Sequence, residues 1–237
     1  AERILMEGFA DTVCVGRAQI ADPEWANKAR EGRANEIRPC VACMQGCMDR
    51  LFSGKPVECL ANPLSGHEGE LKILPLNEKK RILVIGAGPA GCEFAITAKK
   101  RGAEVEIWEK EDRIGGQIHL ASAPPGRGEF IRLVNFYEQE LKRLKIKLRL
   151  GKKANLAKIQ KAGFDEVVLA CGAKPIEPGF PGARRKTVHQ AWEVLSGEVE
   201  LGEKVIVIGG GSVGVETAIY IASQGTISPQ TLKFLFL

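Results

Sequence analysis

"RILVIGAGPAGCEFAITAKKRGAEVEIWEK", residues 81–110, decides the fold. An apolar run leads straight into Gly86, Gly88 and Gly91, spaced G-x-G-x-x-G, and then into a helical stretch. The first glycine permits a tight turn. The second lets backbone approach a pyrophosphate, and the third lets helix and strand pack closely. Phosphate oxygens can then meet the free amides at the helix N-terminus. Glu109 closes the next apolar strand, about 20 residues on, where an acid can hold a ribose hydroxyl. Glycines alone would equally suit a plain strand–turn–helix unit; strand, glycines, helix and terminal acid together read as a dinucleotide site.

Outward from this unit the pattern repeats. "KVIVIGGGSVGVETAIYIASQG", residues 204–225, carries Gly209, Gly211 and Gly214 at the same spacing, an internal duplication of one nucleotide-binding unit. Its acid partner is missing, and Glu216 reads as an ordinary acid of the first helical turn. Between the two lie a glycine- and proline-rich loop, "IGGQIHLASAPPGRG", and a helix, "EFIRLVNFYEQELKRL". In that helix Ile131, Leu133, Val134, Phe136, Tyr137 and Leu141 form an apolar stripe at helical spacing. "IKLRLG" and "FDEVVLACG" read as further strands. The expected fold is therefore α/β and Rossmann-like.

Upstream, "RPCVACMQGCMDRLFSGKPVECLANP", residues 38–63, holds four of the seven cysteines as Cys40-x2-Cys43-x3-Cys47-x11-Cys59. Three thiolates on one tight loop and a fourth from further along can surround a metal centre. This 3+1 layout is common for a four-iron cluster, whereas zinc more often uses two separated C-x2-C knuckles. Spacing leaves both open, with a disulfide knot a third reading. Residues 1–37 look like the tail of something larger: a helix end closed by Gly8, a short apolar strand "DTVCVGRA", and a helix "DPEWANKAREG" with Asp22 as N-cap. One strand between two helices cannot make a core. With the blunt end "LKFLFL", this points to a fragment of a longer enzyme.

The chain has 237 residues, 44% of them hydrophobic, and a net charge of +5 with basic and acidic groups interspersed. No basic stripe interleaved with aromatics recommends a nucleic-acid partner. No apolar run is long enough to cross a bilayer, and the N-terminus lacks a signal-peptide layout, so a cytoplasmic location with reduced cysteines is expected. Cys14, Cys92 and Cys171 read as small core residues. His67, His119 and His189 share no spacing with an acid or nucleophile, so no catalytic residue is assigned.

These motifs together resemble the flavin-dependent NADH:flavin oxidoreductases, 2-enoate reductases and 2,4-dienoyl-CoA reductases, relatives of trimethylamine dehydrogenase and old yellow enzyme. The resemblance rests on "VCVGRAQIADPEW", "PCVACMQGCMDRLFSGKPVECLANP", "GAGPAG", "WEKEDRIGGQ", "VVLACGAKP" and "GGGSVGVETA". It implies a domain order. Residues 1–37 would end a (β/α)8 FMN barrel, and 38–65 would form a 4Fe-4S segment. Residues 78–182 would be an FAD-binding domain, and 183–237 the truncated start of an inserted NAD(P)-binding domain.

It also implies roles. Cys40, Cys43, Cys47 and Cys59 would ligate the cluster, and Gly16 and Arg17 would contact the FMN phosphate. Gly86, Gly88, Gly91 and Glu109 would hold the ADP half of FAD. Arg113, Gly116 and Gln117 would reach its pyrophosphate or flavin side, Gly172 would sit where backbone nears the cofactor, and Gly209, Gly211 and Gly214 would meet NAD(P)H. The planar fork of Arg113 suits phosphate, a surface arginine being its other reading. The implied function passes electrons from NAD(P)H through FAD and 4Fe-4S to FMN, for reduction of a small α,β-unsaturated carbonyl substrate. The full-length enzyme is expected to be an oligomer. Two alternatives stand: amine oxidation of the trimethylamine dehydrogenase type, and an inert nucleotide- and metal-binding module when separated from the barrel. "SQGTISPQTLKFLFL" is similar to an insertion in enoate-reductase relatives.

Overall fold

The computed structural model describes residues 1–224. Four short helices come first: α1 (Glu2–Met6), α2 (Arg17–Ala21), α3 (Trp25–Arg30) and α4 (Met48–Phe52). The nucleotide-fold unit follows as β1 (Arg81–Ile85), α5 (Pro89–Lys100), β2 (Glu104–Trp108), α6 (Ile118–Ser122), α7 (Ile131–Arg143), β3 (Lys147–Arg149), α8 (Leu156–Ala162) and β4 (Glu166–Leu169). Then come α9 (Ala191–Leu195) and α10 (Ser212–Ser223). The four strands form one parallel sheet in the order β3-β2-β1-β4, in which β1 has neighbours on both sides.

Alternation along the strands builds the core. Ile82 and Val84 on β1 sit in register with Val105 and Ile107 on β2, and all four face α5 and α7. Helix α5 contributes Cys92, Ala95 and Ile96; α7 contributes Leu133, Val134, Phe136, Tyr137 and Leu141. The stripe read from the sequence is thus the buried face of α7, with one addition, Glu140, only 3% exposed. On the opposite face Trp108 is covered by the Lys152 ammonium, 3.5 Å from its ring centre, and by the edge of Phe164.

Several expectations are corrected. Residues 12–16 form no strand, because no neighbouring strand among the described residues lies beside them to take up their amides and carbonyls. Cys14 is exposed there, and Cys171 is exposed beyond β4; only Cys92 is a core cysteine. Residues 205–208, expected as the second unit's first strand, also lack a sheet partner among the described residues, and Ile206 is 89% exposed. Helix α3 starts at Trp25, with Glu24 at its cap position; Asp22 still accepts the Glu24 amide at 3.1 Å. The loop expected at 114–128 contains α6. The stretch likened to an insertion lies, from Gly225 onward, outside the described residues.

Candidate functional site

The first glycine turn has the geometry its spacing predicts. Gly86 adopts φ +106°, and a Cβ on Gly91 would collide with the Gly86 carbonyl oxygen, so α5 leaves β1 at a distance only glycine permits. Gly88 caps α5 with φ −72°, ψ −178°, and Pro89 follows at the first turn. A Cβ on Gly88 would meet nothing within 4 Å: open space adjoins the amides of a twelve-residue helix.

Glu109 follows β2 and is 7% exposed. Its Oε2 accepts the Ala87 amide at 2.7 Å and its Oε1 the Glu111 amide at 3.0 Å. Two backbone donors fix the carboxylate beside the glycine turn, with lone pairs left for a further donor such as a hydroxyl. Gly116, at φ +50°, brings the next loop against the turn: its Cβ would lie 3.3 Å from the Gly88 Cα. Gln117 donates to the Ala173 carbonyl at 3.2 Å, and Gly172 keeps clear the space beside that amide. Arg113 is exposed and makes no hydrogen bond, ion pair or ring contact with another described residue. The glycines, Glu109, Gly116, Gln117 and Gly172 thus gather at the carboxyl ends of β1, β2 and β4, where open parallel sheets take ligands. The donor set, the open space at Gly88 and the anchored carboxylate fit the ADP part of FAD.

The second turn reproduces the first. Gly209 has φ +114°, Gly211 caps α10 at φ −75°, ψ 177°, and a Cβ on Gly214 would collide with the Gly209 carbonyl. Glu216 does not act as a first-turn acid: it pairs with Arg127, from the loop after α6. That ion pair ties the second unit to the first.

Cys40, Cys43, Cys47 and Cys59 converge on one pocket, lined also by Arg17, Ile20, Val41 and Ala61. Gly16 caps α2, and Arg17 is its first residue. As the side chains stand, no group of three or more His, Cys, Asp or Glu among the described residues is arranged to hold a single metal ion. Four soft thiols lining one largely apolar pocket suit, by donor chemistry, a sulfur-ligated centre. Burial pushes the Cys59 thiol above its usual range, opposed by the backbone amides of Ala61 and Asn62, while Cys43 and Cys40 add to the rise. The cavity wall shares the main core: Val41 and Ala61 are buried with Ala87 and Cys92, and Cys43 and Cys59 pack against that core.

Three residues that the sequence reading did not assign to this site hold its wall. Arg38 donates to Glu93 on α5 at 2.7 and 3.0 Å and to the Ala61 carbonyl at 2.6 Å. Asp22, 4% exposed, accepts the Arg38 amide at 2.8 Å and Lys28 Nζ at 2.6 Å. Asn62 donates to the Ile20 carbonyl at 3.1 Å. The available signals were an arginine beside the first cysteine pair and an acid, Glu93, inside an apolar helix.

A model of the pyridine nucleotide-disulphide oxidoreductase family matches residues 80–228. The chain is 46% identical over its whole length to a metal reductase of Desulforamulus reducens and covers 36% of that protein. It is 46% identical, over 95% of its length, to an NADH oxidase of Thermoanaerobacter brockii, again covering 36% of it. Among solved structures, a 2-naphthoyl-CoA reductase complex superposes with a TM-score of 0.91 at 38% identity, over 94% of this chain and 34% of that one. The chain therefore spans about a third of the length of these relatives.

Proposed function

The chain belongs to the pyridine nucleotide-disulphide oxidoreductase family, among the NADH:flavin oxidoreductases and 2-enoate reductases, and from that premise we propose that it is the electron-delivering part of a flavin and iron–sulfur reductase. Bound FAD would supply two-electron uptake from a nicotinamide dinucleotide with single-electron release, 4Fe-4S a one-electron relay, and FMN in the full-length enzyme delivery to a conjugated carbon–carbon double bond.

The residues divide that work. Gly86, Gly88 and Gly91 let backbone amides meet the FAD pyrophosphate, Glu109 orients the adenosine ribose, and the exposed Arg113 closes on phosphate. Gly116, Gln117 and Gly172 keep a backbone-lined path open toward the flavin. Gly209, Gly211 and Gly214 do for NAD(P)H what the first glycines do for FAD. Cys40, Cys43, Cys47 and Cys59 hold the cluster, and Gly16 and Arg17 reach the FMN phosphate. On this reading residues 1–37 end the barrel, 38–65 carry the cluster, 78–182 bind FAD and 183–237 open the NAD(P) unit.

One observation supports the reading: the four-thiol pocket is built onto the same core as the glycine-turn helix, so a one-electron centre held there would adjoin a dinucleotide site. The test is iron, zinc and sulfide analysis of anaerobically prepared protein, with visible spectra before and after dithionite. About four irons and four sulfides per chain are expected; a single zinc would sink the proposal. In the full-length enzyme, NAD(P)H-dependent reduction of an unsaturated acid, with no oxidation of a methylamine, separates ene reduction from amine oxidation.

A further inference from the structure

The buried ion pair beside the cysteine cavity has a direction. Arg38 and Glu93 side chains are 12% and 20% exposed, and the guanidinium fork grips both carboxylate oxygens while lying 4.7 Å from the centre of the Phe136 ring. The same Nη1 donates to the Ala61 carbonyl oxygen at 2.6 Å. Ala61 lines the thiol pocket together with Cys59, so the guanidinium is held in the pocket wall. Asn62, next in the chain, is fixed as well. Its side chain donates to the Ile20 carbonyl and accepts the Leu64 amide, each at 3.1 Å.

We propose that Glu93 and Arg38 form a charge relay that tunes the reduction potential of the centre ligated by Cys59. The inference rests on the reading that the four cysteines hold an iron–sulfur cluster. Arg38 sets a positive charge at the Ala61 carbonyl, in the wall of the pocket that holds Cys59. Donors to the ligand sulfurs and nearby positive charge favour the reduced, more negative cluster and raise its potential. Glu93 limits that effect by neutralising the guanidinium. Arg38 is a positioning and tuning residue; it touches no reacting atom.

The sign of the shifts tests this. In the full-length holoprotein, Glu93→Gln keeps the shape and leaves the cation uncompensated, so the potential should rise. Arg38→Met removes the donor and leaves the carboxylate, so it should fall. The readout is a potentiometric titration followed by the electron paramagnetic resonance signal of the reduced cluster, on samples matched for iron and sulfide. A purely structural clamp would loosen the loop in both variants and shift them alike; shifts of the same sign, or none, overturn the relay. Should Arg38→Met lose its iron, Glu93→Gln decides alone: a raised potential supports the relay, and an unchanged or lowered one overturns it. Wild-type protein without iron and sulfide would instead overturn the cluster reading.

Discussion

Gly88 and Gly91 stand three positions apart and answer to different demands. An alanine at 91 would drive its methyl into the Gly86 carbonyl and force α5 off β1. Gly91→Ala should cost about 1–3 kcal/mol of stability, measured by denaturant unfolding, and abolish flavin retention. An alanine at 88 meets open space at φ −72°, so the fold should keep its stability within about 0.5 kcal/mol. The methyl would then occupy the pyrophosphate's approach, and FAD affinity should fall by about tenfold or more in a fluorescence titration. Glu109→Gln turns one of two acceptors into a donor facing a buried amide, at about 1–3 kcal/mol. These positions were legible in the sequence because backbone approach selects glycine whatever surrounds it. Arg38 was not. An arginine's value depends on which carboxylate and which carbonyl the fold brings to it, and Glu93 lies 55 residues away.

Helix α7 shows where periodicity succeeds and where it stops. Its apolar stripe is its buried face, yet Glu140 interrupts that face as a carboxylate 3% exposed. Burial disfavours its charge, but the hydrogen bond and charge of Arg143, with Lys100 and Lys28 behind it, outweigh that and hold its pKa below the usual carboxylate range. A depressed folded value means the stabilisation is present above the unfolded value, about 4.3, and is lost as pH falls through the folded one. Glu140→Gln should therefore cost about 1–2 kcal/mol at neutral pH, because Arg143 is half-exposed and screened. The gap to wild type should narrow in urea melts below about pH 4. Strand expectations failed for a related reason. Apolar runs at 12–16 and 205–208 state a preference for burial, but a strand exists only beside a neighbour, and neither run has one among the described residues.

Across the whole molecule, Arg127 and Glu216 form the ion pair between the first nucleotide unit and α10. Both side chains are about a third exposed, at 35% and 30%, so their coupling in a double-mutant cycle on thermal unfolding should be about 0.5–1 kcal/mol. Arg127→Ala should also speed proteolytic cleavage between 183 and 211, since that pair fastens the second unit. The duplication was readable from glycine spacing; the fastening was not, because nothing in "PPGRG" names its partner. The walls of the cysteine cavity are tied by Asp22, Arg38 and Asn62 through bonds among protein atoms alone. Under the proposed reading, cutting any one of these ties should lower the iron recovered per chain, although none of the three residues touches the metal.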